Sequence, residues 1–99
     1  MEFIQIVELT TSKPEELMAL NAEFEKTTEG KRTALRSIVA RDRNDPNRHL
    51  VIVFFDSYES AMENSELPET QAIAPRFAEF ADEPLTFHDL DVIEDKSLA

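Results

Sequence analysis

The chain has 99 residues, 41% of them hydrophobic, with one glycine, no cysteine, no tryptophan and a formal charge of −11. That length fits a single core, and the apolar share excludes a low-complexity chain. The missing cysteines exclude disulfides, thiolate nucleophiles and zinc–sulfur sites, and the acidic balance lacks the basic footprint of a nucleic-acid binder.

The start, Met1-Glu2-Phe3-Ile4-Gln5, has no basic segment and no long apolar run, so it does not read as a secretory leader. No apolar run approaches the ~20 residues of a membrane span. A cytoplasmic protein with no nucleic-acid partner and no membrane partner is therefore expected.

Phe3 to Leu9 reads as a strand, with Phe3, Val7 and Leu9 on one face and Ile4 and Ile6 on the other. Ser12-Lys13-Pro14-Glu15 matches a capping box, in which Ser12 and Glu15 would satisfy each other's amides. The helix that follows places Leu17, Leu20, Asn21 and Phe24 on one stripe, and Gly30 supplies a left-handed stop. A second strand is predicted from Ala34 to Arg41, with Leu35 and Val39 on one face and Ile38 on the other. Asn44-Asp45-Pro46-Asn47 is a turn, since proline pre-sets φ and Asn and Asp tolerate tight loops.

The next stretch organises the chain. His49-Leu50-Val51-Ile52-Val53-Phe54-Phe55 is apolar without interruption after its histidine. So short an apolar run is a strand buried on both faces, since a half-buried strand would alternate. Helices of the same chain can cover one face. The other needs a second copy, so a homodimer through the sheet face is expected.

Ser57 should cap a short helix from Tyr58 to about Ser65, with Ala61 and Met62 inward. Leu67-Pro68 interrupts it, because proline disfavours helical geometry at the preceding residue. A further helix runs from Pro68 through Ala81, burying Ile73, Phe77 and Phe80, and Pro84 stops it. Thr86 to Ile93 is the last strand.

The order β-α-β-β-α-β implies an α+β, ferredoxin-like fold: a four-stranded antiparallel sheet, helices on one face, strands one and three central. Residues 1–93 form the expected domain, and 94–99 a polar tail. Lys31, Arg32, Arg36, Arg41, Arg43 and Arg48 stand against only Asp42 and Asp45, making residues 31–48 the basic part of an acidic chain. Charges of this kind usually protect an edge strand and hairpin from pairing with other chains; the alternative reading is an arm that meets acidic surface on a partner subunit, or an anionic ligand.

From Met1 to about Ile93 the sequence resembles the dimeric α+β barrel superfamily, in its antibiotic-biosynthesis-monooxygenase-like (ABM-like) branch. The residues that carry the resemblance are Arg41-Asp42-Arg43-Asn44-Asp45-Pro46, then Val53-Phe54-Phe55-Asp56-Ser57-Tyr58-Glu59-Ser60-Ala61, and Pro84. It implies two sheets paired back to back, with a pocket between sheet and helices in each subunit. It also implies one possible activity class, cofactor-independent oxygenases acting on quinols or polyketide aromatics. The chain departs from the pattern at two places. Phe55 stands where the family often has tryptophan, and Asn64 where it often has a helical histidine. A haem-degrading member needs such a histidine on iron, so no cofactor is expected here.

The only side chains that titrate near neutrality unperturbed are His49 and His88, and with Asn64 they are the candidate catalytic residues. Most strand-end histidines are simply satisfied structural groups. Asp89 and Asp91 share a face of the last strand, but two carboxylates without a third ligand make no metal site. One glycine cannot build a phosphate loop. Phe54, Phe55, Phe77, Phe80 and Phe87 read chiefly as core. Because a broken helix covers a sheet poorly, a slot is expected over the His49, Val51, Val53, Phe55 face. The candidate pocket is Gln5, Arg36, Val51, Val53, Phe55, Tyr58, Asn64 and Phe77, for a small aromatic ligand. Two functions fit: a small-molecule-binding or assembly module, or a cofactor-independent monooxygenase.

Overall fold

The structure, a computed structural model, describes residues 1–99. Strand β1 (Phe3–Thr10) leads into α1 (Pro14–Thr27), followed by the hairpin of β2 (Arg36–Arg41) and β3 (Arg48–Phe55). Helices α2 (Tyr58–Glu66) and α3 (Pro68–Glu79) precede β4 (Thr86–Asp91). The strands form one antiparallel sheet in the order β2-β3-β1-β4, so β1 and β3 are central. This is the predicted ferredoxin-like α+β arrangement.

The register makes the two faces easy to read. Phe3 pairs with Phe55, Gln5 with Val53 and Val7 with Val51, while Val53 also meets Ser37 on β2. Since side chains alternate along a strand, odd-numbered strand residues face the helices and even-numbered ones face away. The helix side holds the core, in two clusters. Leu9, Leu17, Leu20, Ile73 and Phe80 form one, and Phe3, Phe55 and Ala61 the other.

The far side carries Ile4, Ile6, Ile38, Leu50, Ile52 and Phe54, and no element of the chain covers it. Only 12 of the 99 residues are buried. That is few for this length, and the bare sheet face is the main reason. No helix is long and apolar enough to cross a membrane.

Local chemistry explains the boundaries and corrects three expectations. The Ser12–Glu15 capping box does not form: the residue at the head of α1 is Lys13, with no side-chain cap. Thr11 does the work instead. Its hydroxyl accepts the Lys13 amide at 3.0 Å and donates to the Phe80 carbonyl at 2.7 Å, tying the helix start to the end of α3. Gly30, at φ 79°, lies beyond the end of α1, which closes at Thr28 through the Phe24 carbonyl. Phe87 is not core, being 61% exposed.

Ser57 caps α2 as expected, its hydroxyl accepting the Ser60 amide at 3.1 Å. The break before Pro68 is present too, with Leu67 at φ −58°, ψ 136° between the two helices. After β4 the chain continues without helix or strand, and Ile93 and Leu98 are 91% and 95% exposed.

Candidate functional site

The interruption at Leu67 prevents α2 and α3 from forming one continuous cover over β3. Under the gap lies a cavity of about 570 Å³ between the helices and the odd-numbered face of the sheet. Val7, Val51, Val53 and Phe55 form its floor, α1 contributes Asn21 and Phe24, and α3 contributes Ile73 and Phe77. The volume falls in the usual range for small-molecule sites, and so does the make-up, apolar walls with a few polar groups.

Asn64 is the best-defined of those polar groups. It is 7% exposed, and its Oδ1 accepts the Thr33 amide at 3.1 Å. That bond fixes which way the amide is turned: Nδ2 has no acceptor in the protein and is left to the cavity that Asn64 lines. Thr33 is itself held to α2, its hydroxyl donating to the Ser60 carbonyl at 2.5 Å. Thr70 donates to the Asn64 carbonyl at 2.7 Å and Ser65 to the Ala61 carbonyl at 3.0 Å. Both hydroxyl hydrogens are therefore used, and these two side chains can only accept from a ligand. On the other side Gln5 donates to Asp89 at 3.2 Å, which leaves its carbonyl oxygen free.

Gln5, Val51, Val53, Phe55, Asn64 and Phe77 thus come together around one cavity. Two other predicted pocket residues do not serve as expected. Tyr58 does not line the cavity; its ring meets Phe3 edge-on at 5.5 Å. Arg36 borders the cavity, but it pairs with Phe54 and its guanidinium sits 5.3 Å from that ring's centre, on the opposite face. Neither histidine lines the cavity. His49 is buried beside Leu9 in the register, with Nδ1 3.0 Å from the Asn47 carbonyl. A carbonyl only accepts, so Nδ1 carries the hydrogen. His88 lies on the uncovered face, where Nε2 is 3.4 Å from Glu8 Oε1 without a hydrogen bond.

The sequence carries no clear signal for several other polar residues of the lining: Glu25, Thr28, Arg32, Ser37, Ser65, Thr70 and Gln71. Asn21 did carry a signal, since an asparagine within the Leu17, Leu20, Phe24 stripe is a polar group aimed at a core. No group of three or more His, Asp or Glu side chains is placed to hold a metal ion.

No protein-family model matches the chain, and no curated protein sequence does. Solved structures do match. SnoaB of Streptomyces nogalater, described as a cofactor-independent oxygenase, superposes with a TM-score of 0.81 at 13% identity, over 95% of each chain. A proposed antibiotic biosynthesis monooxygenase of Nitrosomonas europaea gives 0.78 at 13% identity, over 97% of this chain and 94% of its own. Another from Deinococcus radiodurans gives 0.79 at 16% identity, over 98% of each. The chain has the ABM-like fold. At these identities the likeness speaks for the ABM-like architecture and leaves activity to the residues of the site.

Proposed function

We propose that this ABM-like chain is a homodimeric small-molecule-binding protein that holds a flat, largely apolar ligand between sheet and helices. The observation that carries the reading is the cavity of about 570 Å³ with the Asn64 amide turned into it and no histidine on its walls. Aromatic and aliphatic walls favour an aromatic body, and Asn64 Nδ2 would fix one acceptor of the ligand. A thermal-shift screen of naphthalene- and quinone-sized compounds tests it. Stabilisation that disappears in Asn64→Ala is expected, and a screen without hits would overturn the reading.

The dimer is supported by the bare apolar face and by surface area. A compact monomer of 11.3 kDa should expose about 5,700 Å². This chain exposes 6834 Å², with the extended tail contributing to the excess. An interface of ordinary size removes roughly 800 Å² from each partner.

A second reading, a cofactor-independent monooxygenase, draws on the likeness to SnoaB. Dioxygen would be the oxidant and the anion of a phenolic or quinol substrate the electron source, with the cavity supplying orientation and exclusion of water. Oxygen uptake with a panel of quinols distinguishes it from binding alone. Uptake that survives loss of His49, His88 and Asn64 together would remove all three from the reaction.

A further inference from the structure

The cavity's rim holds one cation whose role in the fold leaves most of it unused. Arg32 donates through a single nitrogen, Nη1, to the Glu25 carbonyl at 2.6 Å and to the Thr28 hydroxyl at 3.4 Å. These contacts hold its guanidinium against the C-terminal turn of α1, where a positive charge complements the helix dipole. No acceptor in the chain takes its Nε or Nη2 hydrogens, and no carboxylate pairs with it. Arg32 makes no ion pair, although the chain has 21 acids against 10 bases and Glu25 lies on the same lining. Lys31 has Glu69 and Arg48 has Glu8 and Asp42, while Arg36, the other arginine at the cavity, is committed to Phe54.

The position of Arg32 adds a second point. The next residue, Thr33, gives its amide to Asn64, so the loop that carries Arg32 is fastened to the residue that turns its Nδ2 into the cavity. The carbonyls at the end of α1 are already occupied: Thr28 bonds that of Phe24 through both its amide and its hydroxyl, and Arg32 bonds that of Glu25. Ser65 and Thr70 have spent their hydroxyl hydrogens. Among the donors on the lining, Arg32 is the charged one on the helix side of the sheet; Asn64, Asn21, Ser37 and Gln71 add neutral ones, and Arg36 lies over the Phe54 ring. The one carboxylate on the lining, Glu25, makes no ion pair with Arg32.

Building on the binding function, we propose that the ligand is an amphipathic carboxylate. Its apolar body lies along Val51, Val53 and Phe77, and its carboxylate is held by the free edge of Arg32 with the Asn64 amide beside it. A guanidinium edge presents two N–H groups in the spacing of a carboxylate's two oxygens, so an acid should be preferred over a neutral molecule of the same shape.

The test is a fluorescence titration with two probes, 2-naphthoate and its methyl ester, at low ionic strength. The acid is expected to bind about tenfold more tightly than the ester, the effect of one charge-assisted contact. Arg32→Gln should weaken the acid to the level of the ester and leave the ester unchanged. Arg32→Lys should keep part of the preference, because it keeps the charge and loses the fork. Equal binding of acid and ester, or an Arg32→Gln variant that holds the acid as before, overturns the carboxylate assignment while leaving a binding cavity in place. Failure of both probes to bind overturns the cavity reading and this proposal with it.

Discussion

Asn64 and Thr33, 31 positions apart, meet through a 3.1 Å bond from the Thr33 amide to Asn64 Oδ1. The bond serves stability and function with different atoms of one side chain. Oδ1 satisfies a partly buried backbone donor, and Nδ2 is left for a ligand. Asn64→Ala should leave the Thr33 amide unpaired and cost about 1–3 kcal/mol, read as a lower urea midpoint at unchanged slope. Asn64→Asp keeps the acceptor and removes the two N–H donors. It should hold the Thr33 bond yet lose affinity for any ligand that presents an acceptor. An Asp variant that binds as well as the parent would separate Asn64 from recognition.

Ile52 faces Ile6 and Ile38 at the centre of the uncovered sheet face. Ile52→Asp would cost a monomer less than a dimer, since the position is only half-buried in the single chain but would hold a buried, unpaired charge in a dimer. Light scattering at micromolar concentration should give twice the chain mass for the parent and the chain mass for the variant, with unchanged circular dichroism. A parent that elutes as a monomer would refute the sheet-face assembly.

Two carboxylates set the expected behaviour in acid. The Lys31 ammonium, 2.7 Å away, holds the Glu69 carboxyl below its ordinary value. The Asn44 amide and the Arg48 guanidinium do the same for Asp42. Both folded-state values are depressed, so their contribution is complete above the ordinary carboxylate range and is lost as pH falls through it. Stability should fall from about pH 5 downward. Glu69→Gln should make that decline slightly shallower and lower stability at pH 7 by the same small amount, because what is lost in acid is what the ionised pair contributes at neutrality. A parallel decline in parent and variant would show that Glu69 does not take part.

The architecture was legible because the strongest signals were physical necessities. The uninterrupted apolar run at Leu50–Phe55 marks a central strand, and Pro68 keeps Leu67 out of helical geometry and so separates α2 from α3, whereas Pro75 is accommodated inside α3. The break in turn implied the slot, and six of the eight pocket residues line the cavity with their side chains on the expected side. Errors arose where a side chain had two partners to choose from. Ser12 carries the capping-box pattern, but the fold brings the Phe80 carbonyl to Thr11, whose hydroxyl then takes the Lys13 amide, a contact the local pattern does not contain. Arg36 was avoidable: the alternation that separates Ile38 from Val39 also places Arg36 on Ile38's face. Arg32 and Thr28 were not, since their positions depend on how the chain turns after α1.

Val53 lies on the cavity floor between Gln5 and Ser37, its register partners on β1 and β2. Its position allows the open slot to be tested directly. If the space above it is available, Val53→Trp should place the indole in the cavity and add apolar contact without moving the helices. Stability would then stay near that of the parent, and ligand binding would be lost. If Met62, Ile73 and Phe77 instead close over the floor in solution, the indole has no room. Overpacking would then cost roughly 1–3 kcal/mol, visible as a lower urea midpoint. The two outcomes differ in sign for the slot: a stable, non-binding variant supports it, and a destabilised one shows the core to be filled.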